Sequence, residues 1–200
     1  MKQVTGNNQP AASEEMSIQL RSGGHSFPKG FPAACETARR VNCSVLTHKT
    51  VLVPAEVFDR ESAGNYLSIA GLGCAETETP VYSDPQQRQI AVMAIDKACR
   101  RHLDETLGNR LTYTSPLLHQ PKFSESGIWM IHTDGLLYLK LYDKVLRLAE
   151  VVRAQGTTDI LFYLGQLNRT VPLKTYPLCL SGSSTLARQL RTYFRDVRCE

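Results

Sequence analysis

Few side chains in this 200-residue sequence stand at spacings that do chemistry. Its five histidines (His25, His48, His102, His119, His132) lie far apart, and none has a histidine or carboxylate four positions away, the helical spacing that seats a metal. His102 falls on the apolar side of a predicted helix and reads as a packed or boundary residue. His132 precedes Thr133-Asp134 in a predicted strand, where surface or cross-strand pairing is the simpler account. The six cysteines (Cys35, Cys43, Cys74, Cys99, Cys179, Cys199) form no C-x-x-C pair, which disfavours zinc and redox motifs. No Gly-x-Ser-x-Gly elbow occurs, so nucleophilic catalysis has no support. Arg188, Arg191 and Arg195, at helical spacings of three and four, make a candidate basic patch for RNA, phosphate or an acidic partner. The plainer reading is a solvated face whose cations suit a helix C-terminus.

The composition around these residues is that of an ordinary globular chain: 42% apolar, 21% charged, with 23 basic against 19 acidic side chains and a net charge of +4. That excess is too mild to name nucleic acid as a partner. The start, MKQVTGNNQPAASEEMS, lacks the apolar core of about 7–15 residues that a secretory signal needs. No stretch approaches the roughly 18 apolar residues of a membrane span. The expectation is a cytoplasmic protein with reduced thiols and no membrane span.

The elements that must position any site follow from periodicity. Residues 1–15 read as a mobile, disordered tail. MSIQLRSGG predicts a half-buried strand closed by Gly23-Gly24, with His25-Ser26-Phe27 returning as a hairpin partner, and Cys35 to Val41 predicts a short helix. Ser44 to Pro54 predicts a strand or hairpin around His48-Lys49; Phe58 to Ile69 a helix ending at Gly71; Pro80 to Tyr82 an extended piece. Asp84 to Leu107 predicts one long helix, capped by Asp84 and closed by Gly108, with Ala91, Val92, Ile95, Ala98, Cys99, His102 and Leu103 on its apolar face. Beyond it, Ile128–Thr133, Leu136–Tyr142 and Val145–Val152 predict a meander turned at Asp134-Gly135. A helix capped by Thr157 or Thr158 follows, apolar almost all round, with Gly165 as a point of close packing. Tyr176 to Leu180 predicts a strand, and Ser183 or Ser184 caps a last helix with Leu186, Leu190, Tyr193 and Phe194 inward.

The C-terminal order is therefore β-β-β-α-β-α, and the first half reads as a damaged version of it. The predicted class is α/β with mixed sheets: a duplicated ribonuclease-H-like, actin-like architecture with its first half shortened. Residues 16–112 form a degenerate first lobe and residues 113–200 the second. The segments MSIQLRSGGHSF, KTVLVPAEVFDRESAGNYL, TYTSPLL, TTDILFYLGQL and LCLSGSSTLARQLRTYFRDV, with the Asp134-Gly135 hairpin, together resemble an uncharacterised family of Bacteroidetes proteins with an actin-like ATPase fold. That family is related to the pilus-assembly and cell-division actin-like proteins.

The resemblance implies a nucleotide cleft built from three turns. The first hairpin here is Arg21-Ser22-Gly23-Gly24, which keeps a flexible backbone but brings no carboxylate. The second carries Asp134 and Gly135 directly adjacent, the signature of a plain hairpin turn. The third, Leu180-Ser181-Gly182-Ser183-Ser184, keeps one glycine where two are usual, and its serines suit a helix cap. Ser22, Gly23, Gly24, Gly182, Ser183 and Ser184 are thus the candidate nucleotide or phosphate residues. No catalytic or metal residue is assigned, since two of the three turns lack the charge that phosphoryl transfer needs. The expected role is a non-enzymatic interaction or scaffold protein with an unknown protein partner and no cofactor. A nucleotide switch using ATP and Mg²⁺ without efficient hydrolysis is the alternative, and an RNA-associated accessory protein a third.

Overall fold

The computed structural model describes residues 15–21, 24, 25, 35, 37–121, 126–194 and 196–199. The expectations for residues 1–14, Ser22, Gly23, the Ser26-Phe27 return, 28–34 and Arg195 lie outside the described residues.

Alternation of Ile18 and Leu20 with polar neighbours gives β1 (Glu15–Arg21), which turns back into β2 (Gly24–His25). On its other side β1 pairs in parallel with β3 (Arg40–Leu46). The chain then leaves this sheet. β4 (Thr50–Pro54), α1 (Ala63–Ile69), β5 (Glu78–Tyr82) and β6 (Gln89–Asp96) make a separate three-stranded antiparallel sheet, order β4-β6-β5, with one helix on it. Helix α2 (Lys97–Leu107) returns the chain to the first sheet, where β7 (Leu111–Thr114) pairs in parallel with β3. The first sheet is thus ordered β2-β1-β3-β7.

The long helix expected from Asp84 is corrected here: Gln89–Asp96 is a strand, and only Lys97–Leu107 is helical. As the middle strand of its sheet, β6 is buried on both faces. Ala91, Met93 and Ile95 join the core under α2, while Ile90, Val92 and Ala94 pack against α1. An unbroken apolar run fits a doubly buried strand as well as a helix, so periodicity alone does not separate them. The cap is Asp96, whose carboxylate accepts from the amides of Ala98 (2.8 Å) and Cys99 (3.0 Å). Asp84 instead closes a turn onto the Gln86 amide at 2.9 Å. His102 is exposed rather than packed.

The second half follows its predicted order. β8 (Ser126–Thr133), β9 (Leu136–Asp143) and β10 (Val145–Arg153) form the meander; α3 (Thr157–Leu167), β11 (Leu178–Ser181), α4 (Ser184–Leu190) and β12 (Val197–Cys199) complete it. The order β10-β9-β8-β11-β12 places β11 parallel to β8 and β12 parallel to β11. Numbered within the half this is 3-2-1-4-5, and the first sheet repeats it as 2-1-4-5 among the described residues. Asp134 (φ 54°) and Gly135 (φ 68°) both take the left-handed conformation that the tight β8–β9 turn requires.

Three local expectations are corrected. Helix α3 begins after Gly156 with no side-chain cap, and Asp159 accepts from the Gln155 amide at 2.8 Å instead. Only Ile160 and Leu164 of α3 are buried; Phe162 is 69% exposed and open space surrounds Gly165, because a single face meets the sheet. Helix α4 stops at Leu190, whose carbonyl accepts from both Tyr193 and Phe194, so Phe194 turns inward and Tyr193 stays half exposed.

Alternation splits the second sheet into two buried faces. Ile128, Met130, Leu137, Leu139 and Leu141 face α3 and α4. Trp129, Leu136, Tyr138 and Val151 face the other way, onto Leu46 from the end of β3 and Leu117 from a short turn at Pro116–Leu118. That second face is the seam between the halves.

Candidate functional site

Strands β1 and β3 run parallel in register Arg21↔Leu46, so their carboxyl ends finish level; β8 and β11 do the same in register Ile131↔Ser181. Ligand clefts in such sheets open at the carboxyl ends of the strands. Here those ends face each other across the seam, and Arg21 Nη1 lies 3.7 Å from Asp134 Oδ1. Guanidinium and carboxylate stand on the two hairpins that the sequence singled out. Arg21 also donates to Gln19 Oε1 at 3.1 Å.

Beside this pair opens a cavity of about 560 Å³ lined by Arg21, Leu46, His48, Glu78, Asp96 and Arg153, among others. Arg153 ends β10 and brings its Nη2 to 3.4 Å from His48 Nε2. Burial, then the charges of Arg153 and Lys49, hold the His48 imidazole below its ordinary pKa. A guanidinium only donates, so Nε2 is the acceptor in this contact. Glu78 accepts from the Ala75 amide at 2.7 Å and is bound by Lys49. Burial pushes its carboxyl up, but the amide and Lys49 outweigh burial and leave it below the usual range. Asp96 is committed to capping α2.

The cleft therefore gathers Arg21, His48 and Arg153, while Asp134, Glu78 and Asp96 each already hold a partner inside the chain. This does not fit the demands of a magnesium-bound triphosphate, whose metal needs carboxylates directed at it or its waters. Among the described residues no three His, Cys, Asp or Glu side chains cluster at metal-binding range.

Of the sequence candidates, Gly24 pairs with Arg21 at the first tip, and Ser22 and Gly23 lie outside the described residues. Gly182 takes φ +105° at the end of β11, level with the Asp134 hairpin by strand register. Ser183 caps α4, accepting from the Leu186 amide at 3.2 Å, and Ser184 opens the helix. Trp129 Nε1 donates to Ser181 Oγ at 3.0 Å, so the turn is anchored from the sheet. Arg188 and Arg191 are exposed, Arg191 as the C-cap of α4, and Arg195 lies outside the described residues.

Sequence reasoning missed His48 and Arg153, which approach across 105 positions. It also missed Lys140. This side chain is fully buried on the seam face of β9, donates to the His119 carbonyl, and lies 5.3 Å from the Trp129 ring centre and 5.7 Å from that of Tyr142. Burial pushes its pKa down to about 8. A lone lysine between Leu139 and Leu141 gives no sign of this in the sequence.

Two level strand bundles, each in the ribonuclease-H-like order and facing across a cleft at their carboxyl ends, define the actin-like ATPase fold. A crystal structure of a Bacteroides thetaiotaomicron protein with that fold and unknown function matches with TM-score 0.75 and 15% identity, over 94% of this chain and 91% of that one. The cytoplasmic domain of EpsL, an inner membrane component of the type II secretion system of Vibrio cholerae, matches more loosely, with TM-score 0.41 and 14% identity over 82% and 80% of the two chains. The sequence matches no protein-family model and no curated protein.

Proposed function

We propose that the chain is a non-enzymatic interaction or scaffold protein that keeps the actin-like frame and has lost its phosphoryl-transfer chemistry. The Arg21–Asp134 pair carries the reading. Asp134 is the one carboxylate at the β8–β9 turn, and here it faces a guanidinium from the opposite tip. Among the described acids lining the cleft, Glu78 and Asp96 also hold hydrogen-bond partners inside the chain. On this reading it needs neither nucleotide nor Mg²⁺, and its partner is a protein.

One observation favours a second reading, a nucleotide-binding switch without efficient hydrolysis: Arg21, His48 and Arg153 line a cavity of nucleotide-compatible size at the strand ends. A thermal-shift titration with ATP and ADP, each with and without Mg²⁺, separates the two, because a ligand that binds the native state raises its apparent stability. The scaffold reading expects no saturable shift up to millimolar nucleotide. A saturable rise lost in Arg153→Glu would install the switch instead, and nucleotide-dependent phosphate release would overturn the first reading altogether.

A further inference from the structure

A second cavity of about 710 Å³ lies where the inserted sheet meets the first sheet. An isolated parallel bridge between Ser83 and Tyr113 joins the two sheets there, and both residues line the cavity. Four arginines from four separate elements line it as well: Arg40 from β3, Arg60 from the turn before α1, Arg100 from α2 and Arg110 from the turn before β7.

Two are fixed in place by the backbone. Arg100 donates to the Pro80 carbonyl at 3.2 Å and Thr79 Oγ1 at 3.3 Å, with its Nε 3.3 Å from Asp104. Arg110 donates to the carbonyls of Cys35 (3.0 Å) and Ala38 (2.9 Å). The side chains of Arg40 and Arg60 have no hydrogen-bond or ion-pair partner among the described residues. Parallel pairing of Val41 with Leu111 brings the backbones at Arg40 and Arg110 together at one edge of the cavity. Among the described residues the one acid lining the cavity is Asp84, whose carboxylate accepts from the Gln86 amide.

We propose that this cavity binds a small polyanion carrying two or more phosphate or carboxylate groups, with Arg40 and Arg60 closing on it and Arg100 and Arg110 forming a fixed wall. Guanidinium forks match both anions bidentately, and a concave cluster of one sign focuses its field on the bound charge. The volume suits a small molecule rather than a docked helix. This site is separate from the seam cleft and holds whether or not that cleft takes nucleotide.

The test is isothermal titration of the full chain with tripolyphosphate and, in parallel, citrate, at low ionic strength. Saturable binding of either supports the site, and which one binds names the anion. Arg40→Glu and Arg60→Glu, both at exposed positions, are each expected to weaken binding by roughly tenfold or more, while Arg153→Glu in the seam cleft and Arg188→Glu on α4 leave it unchanged. No saturable binding of either probe at millimolar concentration overturns the proposal. So does equal weakening by all four substitutions, which marks diffuse surface charge, or loss in Arg153→Glu alone, which moves the anion to the cleft.

Discussion

The two halves use one strand scheme to different depths. In the second, all five strands are present and the helix face of the sheet buries an uninterrupted apolar core from Ile128 to Val197. In the first, four described strands share their core with β6, a strand borrowed from the inserted sheet. The complete half needs nothing from outside to cover its helix face. The shortened half depends on the insertion for burial, and the seam depends on both. Stability should therefore concentrate in the second sheet, with polar and charged devices gathered where the halves meet.

The largest test of that contrast is Leu139→Ala, at a fully buried position in the middle of the complete sheet. Removal of a buried leucine side chain and the cavity it leaves should lower unfolding free energy by about 3 kcal/mol in urea denaturation. A loss under about 1 kcal/mol would mean that this core collapses readily and that the halves do not differ as described.

A smaller effect probes the seam. Burial holds Lys140 down to about 8 from its ordinary 10.5, so between those values the native state has shed a proton that the unfolded chain still carries. Stability should then rise with pH across that window, with the burden of the buried charge fully present below it. Lys140→Met should flatten the rise. Denaturation midpoints of equal slope in both proteins would show that Lys140 titrates as it does in water.

The smallest effect lies at the tips. Asp134→Asn keeps a residue that tolerates φ 54° while removing the charge facing Arg21. For a partly exposed pair the expected loss is well under 1 kcal/mol and vanishes in high salt. A salt-independent loss of several kcal/mol would show the tips to be a structural clasp rather than a weak contact.

Legibility followed the same division. The meander, the Asp134-Gly135 turn and the Ser183 cap were readable because each is a local signal: period-two alternation, a left-handed dipeptide, a hydroxyl at a helix start. β6 was not, because a strand with two dry faces has no polar side to betray its period. Nor was the cleft, since His48 and Arg153 meet only through strand register. The actin-like architecture was legible from element order, whereas the arginine cavity needed the pairing of β3 with β7 to bring Arg40 beside Arg110.

The insertion between β3 and α2 has a consequence for how such a chain can change over generations. It departs through β4 and returns through β6, and these are antiparallel neighbours: the Ala94 amide donates to the Lys49 carbonyl at 3.1 Å, close to where the chain left. A segment whose ends already touch adds little loop-closure entropy to its host, and apart from the Ser83–Tyr113 bridge the first sheet pairs without it. It behaves as a cassette. Its outer surface away from the arginine cavity can diversify while the frame that receives it stays fixed.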